Sequence, residues 1–228
     1  MNNVIENWSS KEELFPGVWV YRNAIKPELK LVERLEAIVE KSNGRIDWKE
    51  AMVGYMEKKP SYRDCQDIKV GPMNNLSNEI EYELNELWKD TKAAHEPAVQ
   101  DYCTRYSVRM DYWEVMNFIS YGPDQHFQEH ADHGFSYSAT VSLVAYPNDD
   151  YEGGELTFPK LNLKIKPQAG DLYVFPSTYL FSHRAEKVIS GKKYSIVTML
   201  DYNDNSHSNE YMQMIQKRND GKNTGLQY

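Results

Sequence analysis

Residues 121–135 read YGPDQHFQEHADHGF, and the backbone shape of this stretch decides between two folds. On a helix, His126, Glu129 and His130 would form the H-x-x-E-H pattern of an inverted zinc peptidase. On a strand, His130 and Asp132 would instead form an H-x-D pair. Their side chains would leave the same face, because successive strand residues point to opposite sides. The two conformations therefore predict different enzymes.

The helical alternative has little support in the residues themselves. A helix would have to begin after Gly122-Pro123 and end by Gly134, with Phe127 and Ala131 as its only apolar residues. Such a helix lacks an amphipathic face. The flanking stretches are rich in β-branched and aromatic residues, which favour strands. We therefore predict a strand through residues 126–132.

Strict alternation along this strand predicts two faces, one with His126, Gln128, His130 and Asp132 and the other with Phe127, Glu129, Ala131 and His133. His130 and Asp132 can then bind one metal ion. His183, in a second β-like run (SHRAEKV, 182–188), is the candidate for the third ligand. Two imidazoles and one carboxylate form the facial triad of non-heme Fe(II) oxygenases, which leaves open positions for other ligands. H-x-D pairs and single histidines are also common without a metal, so this hypothesis needs independent support.

Lys193 supplies a second feature of the hypothesis. It follows His183 by ten residues and lies on the next β-like run, after the turn at Ser190-Gly191. A cation at this place could pair with the far carboxylate of a dicarboxylic cosubstrate bound to the metal. Taken alone, one lysine of the Lys192-Lys193 pair could equally be a solvated surface residue.

The composition narrows the range of functions. The chain has 228 residues and a formal net charge of −8, so its overall field opposes binding to nucleic acid. Cys65 and Cys103 are far apart and form no C-x-x-C unit, and we expect both to be reduced. The chain shows neither the n-region and h-region of a signal peptide nor an apolar run that could cross a bilayer. We therefore expect a cytoplasmic protein that binds neither membranes nor nucleic acid.

The apolar patterns predict one globular domain with three parts: a helix-rich support segment (1–110), a catalytic core of strands (111–202) and a polar tail (203–228). Helices are predicted over 28–43 and from Asn75 to about Tyr106, the second kinked or split at Pro97. A strand is predicted near 67–70. Six further β-like runs occupy 113–121, 139–147, 154–159, 161–165, 171–176 and 194–202. This order favours a β-sandwich or barrel with a helical N-terminal layer.

Several motifs occur together and in order between residues 112 and 201. They are YG (121–122), HAD (130–132), EGGELTF (152–158), KPQAGDLYVFP (166–176) and SHRAEKVISGKKYSIV (182–197). As a set they resemble the iron(II)/2-oxoglutarate dioxygenases of the prolyl 4-hydroxylase type. The resemblance implies a mainly β fold with supporting helices (α+β), built on a double-stranded β-helix, or jelly roll.

The resemblance also assigns roles to residues. It implies His130, Asp132 and His183 as the iron ligands and Lys193 as the partner of the 2-oxoglutarate C5 carboxylate. Tyr121 matches a tyrosine that hydrogen-bonds 2-oxoglutarate, and Ser142, or alternatively Thr140, matches a hydroxyl that contacts it. The expected cofactors are Fe(2+), 2-oxoglutarate as cosubstrate, O2 and ascorbate.

The implied activity is hydroxylation of proline in a peptide or protein, with release of succinate and CO2. Asp132 argues against halogenation, because related halogenases lack this carboxylate. Phe127 and Phe181 occupy positions that tend to contact substrate in the family, and both could equally be core aromatics. A free amino acid or small metabolite is an alternative substrate, and a cupin-like metal-binding protein or a zinc hydrolase is an alternative class. His95, His126, His133 and His207 are not expected to be ligands, although strand alternation would let His126 face inward.

Overall fold

The computed structural model describes residues 6–53, 57–134 and 137–207. The first half of the chain contains β1 (Ser10–Phe15), β2 (Val18–Arg22), α1 (Leu31–Lys41), β3 (Lys49–Glu50), β4 (Arg63–Asp64), β5 (Gln66–Val70) and α2 (Glu79–Tyr106). The second half contains β6 (Tyr112–Trp113), β7 (Met116–Tyr121), β8 (His126–His130), β9 (Val141–Tyr146), β10 (Glu152–Gly153), β11 (Leu156–Phe158), β12 (Leu163–Ile165), β13 (Asp171–Pro176), β14 (His183–Ala185), β15 (Val188–Ser190) and β16 (Lys193–Asp201). Short 3-10 turns occupy Pro27–Leu29, Pro159–Leu161, Tyr179–Phe181 and Asn205–His207.

A large antiparallel sheet forms the main layer of the molecule. Its strand order is β1-β2-β13-β9-β16-β7-β5-β3, with β6 paired to β16. Alternation along its strands divides the side chains between two cores: Leu143 and Leu172 face the helices, whereas Val144 and Tyr173 face the other way. Both faces of the sheet are thus apolar, which explains why β9 and β13 read as nearly continuous hydrophobic runs.

A smaller antiparallel sheet lies against the second face of the large one. Its order is β12-β11-β14-β8-β4, and β10 and β15 form a separate short pair. Phe158 of β11 packs edge to face on Phe175 of β13, at 5.0 Å between ring centroids. The arrangement is mainly β with antiparallel sheets, as predicted, and is consistent with a jelly-roll oxygenase fold.

Both predicted helices are present and cover the outer face of the large sheet. In α1 the buried residues Leu31, Leu35 and Ile38 recur at helical spacing. In α2 the side chain of Asn78 caps the start, where it accepts a hydrogen bond from the Glu81 backbone N–H at 3.1 Å. This helix begins at Glu79 rather than at Asn75.

Pro97 neither ends nor divides α2, so of the two outcomes that the sequence predicts there, a kink or a split, the split is wrong. The helix continues as one element from Glu79 to Tyr106, with Ala94, Ala98 and Val99 buried on both sides of the proline. Tertiary packing of this face outweighs the lost hydrogen bond and the steric conflict of an internal proline.

The large sheet includes strands from both sides of residue 110. Strands β1, β2, β3 and β5 come from the segment expected to be a helix-rich support, and β2 pairs directly with β13. The strand predicted near 67–70 is β5. The expected boundaries of a support segment and a catalytic core therefore remain predictions, and most of the predicted tail (208–228) lies outside the described residues.

None of the described helices has the length and apolar character that a membrane crossing requires.

Candidate metal and cosubstrate site

Pairing between β8 and β14 brings the two predicted histidine ligands side by side. The strands are antiparallel, and His183 is the direct partner of His130 in their register. Their imidazole rings lie 4.5 Å apart between centroids. Asp132 follows β8 by two residues. Donor atoms of His130, Asp132 and His183 all lie within 4.8 Å of one another, a spacing at which one ion can bind all three.

A bulge in β8 changes which of its side chains share a face. His130 is opposite His183 and Phe127 is opposite Ala185, so three steps on β8 match two on β14. Phe127 and His130 consequently line the same cavity, and their rings stack at 3.6 Å. Strict alternation, which placed Phe127 on the opposite face and allowed His126 to point inward, is therefore wrong here. His126 is paired with Asp64 of β4 and does not line the cavity.

Backbone carbonyls fix the orientation of both imidazoles. His130 Nδ1 lies 2.9 Å from the Gln128 carbonyl oxygen, and His183 Nδ1 lies 3.2 Å from that of Phe181. Each Nδ1 therefore carries the proton and donates it, which leaves Nε2 as the free lone pair. Burial, followed by the neighbouring His183, holds the pKa of His130 well below its ordinary value. A neutral imidazole is the form that binds a metal.

The Asp132 carboxylate lies between the two histidines. Its Oδ1 is 3.5 Å from His130 Nε2, and its Oδ2 is 3.8 Å from His183 Nε2. Ser142 donates a hydrogen bond of 2.5 Å to Oδ2. Ser142 therefore lies at the candidate metal ligand, and its expected contact with 2-oxoglutarate stays a prediction. Thr140, the alternative, donates to Asp201 at 2.6 Å and does not line the cavity.

The donor set fits a divalent transition metal. Two neutral imidazole nitrogens and one carboxylate oxygen suit Fe(II) and leave coordination positions for further ligands. The aromatic rings of Phe127, Phe158 and Phe175 surround the histidines, with Phe175 at 4.9 Å from the His183 ring. This shell holds the imidazoles in place and limits access of water.

A cavity of about 100 Å³ lies between the two sheets and connects the triad with the other predicted residues. His130, Asp132 and His183 form its wall on one side. Tyr121 and Lys193 line it from the large sheet, where they are direct partners across β7 and β16. Lys193 is at the start of β16, whereas Met199, further along that strand, is paired with Ser142. The ammonium group and the triad therefore occupy different ends of the cavity.

Lys193 is buried and has no carboxylate partner among the described residues. It is 1% exposed, its Nζ donates to the Gly154 carbonyl oxygen at 2.7 Å, and the Tyr121 ring centroid is 4.9 Å from Nζ. Burial, with a smaller effect of Lys166, lowers the pKa of Lys193 to about 7. A buried cation held in this way is a strong binding partner for an incoming anion.

Tyr121 remains a neutral phenol that can donate a hydrogen bond. Burial, followed by the Cys65 thiol, raises its pKa well above the ordinary value. Cys65 is buried beside it, and both Cys65 and Cys103 are free, as predicted.

The sequence did not indicate Arg63, which also lines the cavity. Its guanidinium lies over the Phe127 ring at 4.8 Å and pairs with Asp67 at 3.3 Å. The side chain comes from β4, in a stretch read as loop, and no motif marks it. Asn117, which lines the cavity from β7, and Ser177, whose hydroxyl lies 2.8 Å from that of Ser142, were also missed because no motif marks them.

The side chains of the remaining residues considered from the sequence do not line the cavity. Phe181 packs into the core between the sheets rather than along the cavity. His95 is buried in α2, and His207 lies 3.1 Å from Asp201. His133 contacts the Ala139 backbone. The described cluster of possible metal ligands includes none of these three histidines, and the expectation that they are not ligands stays a prediction.

Comparisons with known proteins give the same picture of the fold and the chemistry. Residues 116–200 match the model of the 2OG-Fe(II) oxygenase superfamily. A PKHD-type hydroxylase of Prochlorococcus marinus (strain AS9601) is 27% identical over 206 residues, which cover 86% of this chain and 82% of that protein.

Solved structures of two prolyl hydroxylases share the architecture. One, from Trichoplax adhaerens in complex with a hypoxia inducible factor oxygen degradation domain peptide fragment, has a TM-score of 0.65 at 14% identity, covering 87% of this chain and 86% of its own. The other, a Pseudomonas putida prolyl-4-hydroxylase, has a TM-score of 0.59 at 17% identity, covering 81% and 92%. These two structures confirm the fold, and the family match and the hydroxylase relative confirm the predicted resemblance and the prediction of a dioxygenase.

Proposed function

We propose that this chain, a dioxygenase of the 2OG-Fe(II) oxygenase superfamily, hydroxylates a prolyl residue in a peptide or protein and forms succinate and CO2. The observation that carries the proposal is the direct pairing of His130 with His183, which brings both Nε2 atoms beside Asp132 at one wall of a cavity. Lys193 lines the same cavity from the other sheet. The peptide substrate is proposed because the Trichoplax neighbour was solved with a peptide.

In the proposed site, His130, Asp132 and His183 hold Fe(II). When bound, iron with 2-oxoglutarate and dioxygen supplies an oxidation in which one oxygen atom enters succinate and the other the substrate C–H bond. His130 and His183 present Nε2 because their Nδ1 protons are donated to backbone carbonyls. The protein's contribution is thus a set of fixed, neutral ligands.

Lys193 and Tyr121 are proposed to bind the far carboxylate of 2-oxoglutarate. An ammonium and a phenol O–H are both donors, and each lies buried at the same cavity wall. A divalent ion, the Asp132 carboxylate and protonated Lys193 together carry two net positive charges. The dianion of 2-oxoglutarate would neutralise them, and Arg63 is already paired with Asp67. Charge balance therefore favours a dicarboxylate over a neutral ligand.

The apolar lining has a separate role. Ile119, Val144, Leu156 and Val197 line the cavity between the charged groups. Their side chains exclude water from the region between the metal ligands and Lys193. Exclusion of water strengthens the electrostatic contacts and protects reactive species from side reactions.

The direct experiment combines product analysis with matched variants. The purified protein would be incubated with Fe(II), ascorbate, 2-oxoglutarate and a library of proline-containing peptides, and mass spectrometry would detect a gain of one oxygen atom on proline. Succinate should form in proportion to hydroxylated peptide. Asp132→Ala should abolish both products, whereas His126→Ala, on the same strand but outside the cavity, should retain them.

The outcomes separate the substrate classes. Succinate formation that depends on free amino acids, with every peptide unchanged, would favour a small-metabolite hydroxylase. Tightly bound zinc without any consumption of 2-oxoglutarate would refute the oxygenase assignment. Undiminished coupled turnover by Asp132→Ala would refute the proposed ligands.

A further inference from the structure

Two buried hydroxyl groups stand behind the Asp132 carboxylate. Ser142 on β9 is 0% exposed, and its Oγ lies 2.5 Å from Asp132 Oδ2 and 2.8 Å from Ser177 Oγ. Ser177, which directly follows β13, is 2% exposed. The three groups form an unbroken hydrogen-bonded row from the large sheet to the candidate metal ligand.

The direction of this row follows from the chemistry of its members. An ionised carboxylate only accepts hydrogen bonds, so the single hydroxyl proton of Ser142 must be donated to Asp132. Ser142 can then only accept from Ser177, which makes Ser177 the donor to Ser142. Both hydroxyl orientations are thereby fixed.

The backbone of Ser177 is hydrogen-bonded to both ends of the loop that follows Asp132. Its backbone N–H donates to the Thr140 carbonyl oxygen at 3.0 Å, and its carbonyl oxygen accepts from the His133 N–H at 3.0 Å. The row is therefore anchored to the backbone at the two ends of the loop between Asp132 and β9.

We propose that Ser142 and Ser177 are positioning residues that fix the rotation of the Asp132 carboxylate for metal binding. Ser142 occupies Oδ2 and leaves Oδ1, 3.5 Å from His130 Nε2, as the oxygen offered to the ion. The proposal rests on the proposed function, since it concerns the same metal site. It replaces the role expected for Ser142 from the sequence, which was contact with 2-oxoglutarate.

The test measures binding of Mn²⁺ alone, as a probe that does not turn over, by calorimetry. Loss of a hydrogen-bond partner of a metal ligand typically weakens metal binding about 10- to 100-fold, and we expect this for Ser142→Ala. Ser177→Ala, which keeps the Ser142 hydroxyl but removes its donor, should show a smaller loss. Ser120→Ala is the matched control, because Ser120 is 2% exposed in the same sheet but alternates with the cavity-lining Ile119 and Tyr121. Its affinity for Mn²⁺ should equal that of the parent protein.

A second readout separates positioning from contact with the cosubstrate. With Mn²⁺ saturating, the dissociation constant of 2-oxoglutarate should be the same for Ser142→Ala and the parent protein. Unchanged Mn²⁺ affinity in Ser142→Ala would overturn the proposal, and weakened 2-oxoglutarate binding in that case would restore the role expected from the sequence. Circular dichroism checks the fold, and if Ser142→Ala does not fold, unchanged Mn²⁺ affinity in folded Ser177→Ala overturns the proposal.

Failure of the metal site itself gives a different result. If His130→Ala binds Mn²⁺ as tightly as the parent protein, the proposed function is wrong. If His130→Ala loses Mn²⁺ but both serine variants keep it, the function stands and only the positioning role is refuted.

Discussion

Lys193 should give cosubstrate binding a pH dependence whose size follows from the structure. Burial, followed by the nearby Lys166, lowers the pKa of this lysine to about 7 when no anion is bound. A carboxylate bound beside it favours the ammonium form and raises its pKa. 2-oxoglutarate should therefore bind the protonated lysine. Between pH 7 and pH 9 the protonated fraction of free Lys193 falls from about one half to about one hundredth, so the dissociation constant should rise about 50-fold.

Isothermal titration of 2-oxoglutarate into the Mn²⁺-loaded protein from pH 6 to pH 9 measures this change. Lys193→Arg is the matched variant, because arginine keeps its charge throughout this range. The dissociation constant of 2-oxoglutarate for Lys193→Arg should change much less with pH than that for the parent protein. Because both proteins have the same metal ligands, effects of pH on these ligands cancel in the comparison. In two buffers of different ionisation enthalpy at pH 8, the parent protein should take up nearly one proton on binding and the variant none. A dissociation constant that does not change with pH in the parent protein would refute the reasoning. The same pH dependence in Lys193→Arg would refute it as well.

Three further predictions concern the fold and the surroundings of Lys193. Burial lowers the pKa of His95 from 6.5 to about 4, so between these pH values the unfolded chain binds a proton that the folded chain excludes. The free energy of unfolding, measured in urea, should therefore be highest above pH 6.5 and fall by about 3 kcal/mol toward pH 4. His95→Leu should remove this pH dependence. Leu87→Ala, at a 0% exposed position of α2, should cost about 2–5 kcal/mol in urea titrations, whereas Tyr82→Ala, 55% exposed on the same helix, should change stability by less than about 0.5 kcal/mol. Gly154→Ala should weaken 2-oxoglutarate binding in calorimetry, because the added Cβ would lie 3.0 Å from Lys193 Cδ on a residue with φ of +64°; unchanged affinity would mean that Lys193 adapts.

The H-x-D part of the ligand triad could be predicted because neighbouring residues indicate the strand conformation around His130. The residues around His130 lack a helical pattern, and the apolar runs on each side have the length and composition of strands. Once strands are assigned, H-x-D and a distant histidine on another strand suggest the triad, and the accompanying motifs strengthen this hypothesis. The structure supports it, with His183 directly opposite His130. The spacing of Lys193 after His183 suggested its role, whereas Tyr121 followed from the family resemblance, and the two prove to be partners across two strands.

The bulge in β8 could not be read from the sequence. It depends on how β8 pairs with β14, which is a contact between segments more than fifty residues apart. A period-two pattern assumes a regular strand, so a single bulge reverses the predicted face of every residue beyond it. This explains why Phe127 was placed away from the histidine on which it stacks.

The roles of Ser142 and Arg63 escaped prediction for a related reason. A motif aligns Ser142 with a hydroxyl position, but only the three-dimensional packing decides that its nearest acceptor is Asp132. Arg63 reaches the cavity from a two-residue strand at the edge of the small sheet, where no periodicity exists to recognise. The N-terminal strands of the large sheet, such as β2 beside β13, are equally non-local pairings.

Anomalous diffraction from crystals grown with Mn²⁺ and 2-oxoglutarate tests the central claim most directly. The proposed function predicts one Mn²⁺ peak within bonding distance of His130 Nε2, His183 Nε2 and a carboxylate oxygen of Asp132, with the far carboxylate of 2-oxoglutarate at Lys193 Nζ. A peak bound by other side chains, or 2-oxoglutarate bound away from Lys193 and the triad, would contradict it.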